Sequence, residues 1–185
     1  MAFVDLPQRN NIILVGFMAS GKSQVGRILS ERTGMPLVDA DTVVVERAGK
    51  SIEQIFADAG EEAFRSLERE VIAELCGGVG QIISAGGGAF VAQDNRQALL
   101  TGGTVFCLQA RPETIYHRLK ADNDSGQAVR PLLAGSDPLG RIRELLAQRA
   151  EAYGQAHHRI DTDELTPEEV AGRVLSSITI GEFWE

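Results

Sequence analysis

The sequence predicts an α/β fold: a three-layer sandwich with helices on both faces of a five-stranded parallel sheet. Two observations carry that expectation. Short apolar runs alternate with segments of helical periodicity, and parallel neighbours need such crossover connections. The chain, 185 residues and 19.9 kDa, is long enough to bury one substantial core and short for two, so residues 1–185 are expected to form a single domain.

Asn11 to Gly16 (NIILVG) is a continuous apolar run ending in glycine and reads as the first strand. Lys22 to Thr33 follows with helical spacing at Val25, Ile28 and Leu29. Pro36 to Asp39 (PLVD) is a second short strand. Asp41 to Cys76 then carries helical patterns broken around Gly49 and Gly60, with Ala63, Leu67, Val71 and Leu75 recurring on one expected inward face. Gln81 to Ala85 reads as a third strand, Gly103 to Leu108 as a fourth and His158 to Asp161 as a fifth, with helices between them. Asp122 to Asp137 interrupts this rhythm with a polar, glycine-containing stretch too long for an ordinary connection, as in a functional lid or a disordered segment.

Composition excludes several classes of function. A formal net charge of -8 sets the surface against phosphate backbones and anionic membranes, so neither nucleic acid nor membrane is an expected partner. A local arginine cluster can still bind a small anion at close range. The first ten residues include Asp5 and lack the basic and apolar regions of a secretory signal, and no stretch approaches the roughly 18 apolar residues of a membrane helix. Cys76 and Cys107 have neither metal-ligand nor redox spacing and read as reduced core thiols, which fits a cytoplasmic protein.

Gly16-Phe17-Met18-Ala19-Ser20-Gly21-Lys22-Ser23 fits G-x-x-x-x-G-K-[ST] and stands between a predicted strand and a predicted helix, as that motif requires. Its glycines permit a nest of inward-pointing N–H groups at the positive end of the following helix. Lys22 can reach the β- and γ-phosphates of a nucleotide, and the Ser23 hydroxyl can ligate Mg²⁺. A bare turn has no need of Lys22 and Ser23. The loop does not specify a reaction, since kinases, GTPases and motor ATPases share it.

Other residues narrow the choice without closing it. Asp39-Ala40-Asp41 ends the second strand at the carboxyl edge, where open α/β sheets bind ligands. One carboxylate could place Mg²⁺ and the other accept a hydroxyl proton, or Asp41 could simply cap a helix starting at Thr42. Arg65 and Glu68 share a helix face, the usual spacing of a surface ion pair. Gly86-Gly87-Gly88 suggests a ligand pressed against backbone, or else a flexible loop.

Together with Arg130-Pro131-Leu132-Leu133 and with Arg149 and Tyr153, these motifs stand in an order that resembles the shikimate kinases along nearly the whole chain. The resemblance implies a P-loop, nucleoside-monophosphate-kinase-like fold with a substrate-binding region at about 39–76 and a mobile lid at about 122–137. It implies transfer of the ATP γ-phosphate to the 3-hydroxyl of shikimate, with ATP as co-substrate, Mg²⁺ as cofactor and a monomeric enzyme. Gly16, Ala19, Ser20, Gly21, Lys22, Ser23 and Gln24 would bind the nucleotide together with Arg118, set against the adenine, and Arg130, brought in by the lid. Lys22, Asp41 and Arg130 would be catalytic, with Asp41 gripping the substrate hydroxyls and acting as base. Ser23 and Asp39 would hold the metal. Arg65 and Arg149 would clamp the substrate carboxylate, and Gly86, Gly87 and Gly88 would line its pocket.

The sequence departs from that family's pattern at Ala19, Ala85 and Glu151, where glycine, threonine and proline are common. No charged group is lost. Two other readings stay open: a related small-molecule kinase, such as one acting on gluconate, and a nucleotide-binding regulatory module without turnover.

Overall fold

The computed structural model describes residues 10–124 and 136–181. Arg130 and most of the predicted lid lie outside the described residues.

Five strands form one parallel sheet in the order β2-β3-β1-β4-β5, comprising β1 (Asn11–Gly16), β2 (Leu37–Asp39), β3 (Ile82–Ser84), β4 (Gly103–Gln109) and β5 (His158–Asp161). Every strand read from the sequence is present. Because side chains alternate along a strand, β1 sends Ile12 and Leu14 to one face and Ile13 and Val15 to the other, and both faces are buried. That is why the run is apolar throughout rather than alternating.

On the first face Ile12, Leu14, Ile82, Phe106 and Ile160 meet Val25 and Leu29 of α1 (Lys22–Thr33) and Val170, Val174 and Leu175 of α7 (Pro167–Gly181). On the second, Ile13, Val15, Ile83, Val105 and Cys107 meet Leu99 of α4 (Gln93–Gly102), Ile115 and Leu119 of α5 (Pro112–Asp124) and Ile142 of α6 (Pro138–Tyr153). Each fully buried aliphatic or aromatic side chain contributes about 1.5–3 kcal/mol. Asn11 staples the amino edge: Nδ2 donates to the carbonyls of Gly78 (2.8 Å) and Gly102 (2.9 Å), and Oδ1 accepts from the Gln81 N–H (3.2 Å).

Helices α2 (Ala40–Ala48) and α3 (Ile52–Gly77) occupy the predicted substrate-binding region and enclose a smaller cluster of Ala40, Val44, Ile55, Phe64 and Val71. Ser51 starts α3 through a capping box with Gln54, satisfying two otherwise unpaired donors. Gly60, at φ 81°, breaks α3 where the sequence placed an interruption. The inward face of α3 keeps Leu67, Val71 and Leu75 as expected but not Ala63. Ala63 is exposed, and the stripe runs through Phe64, Glu68, Val71 and Ile72, because the two larger apolar side chains at 64 and 72 outweigh a methyl group. His158 of β5 stacks on the Phe106 ring, with ring centroids 4.9 Å apart.

Candidate active site

The carboxyl ends of β1, β2 and β3 point the same way and deliver Gly16, Asp39 and the triple glycine to one rim. At Gly16 (φ 139°) the backbone passes so close beneath the Leu108 carbonyl that a Cβ would overlap it. Gly21 (φ 97°) leads into α1 with no side-chain cap, so the first N–H groups of the helix stay open to an anion. Lys22 Nζ donates to the carbonyls of Gly16 (2.9 Å) and Phe17 (3.0 Å). Burial lowers its pKa to about 8, against the opposing pull of Asp41 and Asp39. A pocket of about 670 Å³ runs from Ala19, Ser20 and Gly21 past Ser23 and Gln24 to Arg118 on α5 and Pro167 on α7. Arg118 is fixed beside the loop, with Nη1 on the Ala19 carbonyl (3.2 Å) and Nη2 on the Thr162 carbonyl (2.8 Å).

The two aspartates have different tasks. Asp39 is the N-cap of α2: its Oδ1 accepts from the N–H groups of Asp41 (3.0 Å) and Thr42 (3.2 Å). The possibility that Asp41 caps a helix beginning at Thr42 is thereby corrected, since the helix begins at Ala40 and its cap is already supplied. Asp41 instead faces the triple glycine, where a Cβ on Gly86 would lie 2.5 Å from its Oδ1. Its pKa is raised to about 6, first by burial and then by Asp39 and Glu68, with Lys22 and Arg65 acting in the opposite sense.

Arg65 Nη1 donates to Glu68 Oε2 at 2.9 Å, and Glu68 is only 2% exposed, so this is no surface pair. Burial of Glu68 is tolerable because a guanidinium and the Asn95 amide (Nδ2 to Oε2, 3.4 Å) face its carboxylate. Arg65 also lies 5.1 Å over the Phe64 ring, which stacks on Phe56. Arg149 reaches in from α6, with Nη1 on the Gly87 carbonyl at 2.9 Å and its guanidinium 5.0 Å over Phe17. A Cβ on Gly88 would stand 3.3 Å from Arg65 Nη1, and one on Gly87 would stand 3.7 Å from Arg149 Nη1. Two arginines far apart in sequence thus lie against adjacent glycines.

Residues 18–179 match the family profile described as Shikimate kinase. The chain is 47% identical over 169 residues to the shikimate kinase of Symbiobacterium thermophilum, covering 91% of this chain and 95% of that one. The chain belongs to the shikimate kinase family. The structure of shikimate kinase from Acinetobacter baumannii in complex with shikimate superposes with a TM-score of 0.84, at 33% identity and 94% coverage of each chain. A gluconokinase from Sinorhizobium meliloti 1021 is 15% identical with a TM-score of 0.56 and shares the fold alone, with 93% of each chain covered. Family membership makes the protein an ATP-dependent small-molecule kinase of the shikimate pathway.

Within that family frame, Lys22, Asp39, Asp41, Arg65, Gly86 to Gly88 and Arg149 gather at one rim, with Arg118, Ser23 and Gln24 along the nucleotide-sized pocket beside it. Sequence reasoning passed over the burial of Glu68 and the hydroxyl of Tyr153. Both had a signal: Glu68 continues the helical register of Phe64 and Val71, and Tyr153 lies one turn beyond Arg149. Asn95 and Thr162 gave none, because their partners are set by tertiary contact alone.

Ala19 sits at φ 57°, the left-handed region that favours glycine, which explains the family's preference for glycine there. Such a conformation costs an alanine roughly 1–2 kcal/mol, partly offset because glycine loses about 0.4–1 kcal/mol more entropy on folding. Ala19→Gly is therefore expected to raise Tm by about 1–4 °C with kcat/KM changed less than about twofold. A lower Tm would show that the loop holds Ala19 without strain.

Proposed function

We propose that this kinase transfers the γ-phosphate of ATP to the 3-hydroxyl of shikimate, giving shikimate 3-phosphate and ADP. The observation that carries the reading is the convergence of Arg65, Arg149 and Asp41 on the triple glycine. Paired guanidinium donors match the two oxygens of a carboxylate and fix the angle of the ring that bears it. Asp41, poised by burial near the working pH, accepts the hydroxyl proton as the oxygen attacks. Lys22 exchanges the Gly16 and Phe17 carbonyls for the phosphates, and the open N-terminus of α1 receives the same charge.

The residues fit Mg²⁺: Ser23 offers a hydroxyl at the start of α1, and Asp39 uses Oδ1 for its cap, leaving a second carboxylate oxygen for a hard cation. When bound, the ion supplies charge neutralisation at the phosphate oxygens. Arg118 and Pro167 flank the pocket where the adenine would lie. The thiols of Cys76 and Cys107 are free, and no described helix is long and apolar enough to cross a membrane.

The test is ADP release with shikimate, with gluconate and with no acceptor. Shikimate alone should support turnover; turnover with gluconate would favour a polyol kinase, and none with any acceptor a regulatory module. Arg65→Ala and Arg149→Ala should each raise the shikimate KM, with a loss on the order of 2–5 kcal/mol, and leave the ATP KM little changed. A neutral amide analogue of shikimate should be poor with wild type and insensitive to either mutation. Equal handling of acid and amide by wild type would remove the carboxylate clamp.

A further inference from the structure

The Gly87 carbonyl accepts two hydrogen bonds from one helix. Arg149 Nη1 donates at 2.9 Å and the Tyr153 hydroxyl at 2.7 Å. The two side chains lie one turn apart on α6 and so share a face. Tyr153 is 3% exposed with its ring in the core beside Phe17 and Ile142. Burial raises its pKa, so the hydroxyl remains a donor throughout the neutral range.

Arg149 Nη1 thus rests on a backbone oxygen, while its proposed work is on a substrate carboxylate. Turning Nη1 to the carboxylate would take it from Gly87. Were it the only donor, that turn would leave the carbonyl of the half-buried Gly87 without a protein partner. A polar group left without a partner beneath a seated substrate, which excludes water, is costly, and that cost would be subtracted from substrate affinity.

We propose that Tyr153 is a positioning residue for the substrate: its hydroxyl keeps the Gly87 carbonyl satisfied, so that Arg149 is free to turn to the carboxylate. The inference rests on Arg149 being part of the carboxylate clamp. Tyr153 touches neither substrate nor nucleotide in this scheme, and it acts through the arginine.

Tyr153→Phe removes the hydroxyl and keeps the ring, so the core beside Phe17 stays filled. Steady-state kinetics with shikimate and ATP varied separately should show shikimate kcat/KM lowered by about five- to thirtyfold, with the ATP KM within about twofold of wild type. Thermal melting checks that the variant is folded. The same substitution in the Arg149→Ala background should change shikimate kcat/KM by less than about twofold, because no arginine remains to be released. An equal factor in both backgrounds would mean a structural role only and overturn the proposal. So would an unchanged shikimate kcat/KM in Tyr153→Phe while Arg149→Ala impairs shikimate use. If Arg149→Ala itself leaves shikimate use intact, the clamp fails, and this proposal fails with it.

Discussion

Lys22→Ala is expected to yield a folded protein whose turnover is lowered by at least about 10³-fold. The Lys22 ammonium rests on the carbonyls of Gly16 and Phe17. A nucleotide polyphosphate is a far stronger acceptor than two carbonyls, and the bond tightens as charge develops on the transferring group. Stability should not suffer. The folded pKa is depressed from 10.5 to about 8, so this group's favourable contribution exists above 10.5 and is lost as pH falls through 8. At pH 7 the buried, protonated lysine is a net burden on the fold, and alanine removes it. Measuring ADP release and Tm on the same sample checks both halves; near-wild-type turnover in a folded variant would dismiss the phosphate-loop assignment.

The strands and the phosphate loop were legible because their signals are local. Apolar runs of the length of NIILVG and GTVFCL have one outlet in a sheet covered on both sides, and G-x-x-x-x-G-K-S names its own geometry. The roles of Asp39 and Asp41 were not separable by spacing, since either could precede a helix; a shift of two residues in the helix start decided between them. Glu68 looked like half of a surface pair because an i, i+3 spacing carries no record of which way the helix faces. The fill of Phe64 and Ile72 turned that face inward. The meeting of Arg65 and Arg149 depends on β3 and α6 being brought together by the sheet order, which no local pattern encodes.

Asp41→Asn is expected to lower turnover by about 10²–10⁴-fold and at the same time to stabilise the protein near pH 7.5. The kinetic half follows from chemistry, because the amide keeps the shape but cannot take the hydroxyl proton. The wild-type rate should accordingly fall on the acid side of about pH 6, where the Asp41 carboxylate becomes protonated, and that limb should vanish in the variant. The stability half follows from linkage. A carboxyl whose pKa rises on folding from 3.8 to about 6 contributes stability that is fully present below 3.8 and lost as pH climbs through 6. Above that, the folded protein holds a carboxylate among Asp39 and Glu68 with incomplete compensation from Lys22 and Arg65, a burden of up to roughly 3 kcal/mol. Asparagine removes the charge without disturbing the helix start, because Asp39 supplies the cap. Melting curves of the two proteins should therefore separate at pH 7.5, with the variant higher, and converge below about pH 4, where Asp41 is protonated in both the folded and the unfolded chain. Nearly full turnover in Asp41→Asn would eliminate the general base. A variant that melts lower than wild type at pH 7.5 would instead show that Lys22 and Arg65 more than compensate the buried charge, and the acid limb of the wild-type rate would then have to lie well below pH 6.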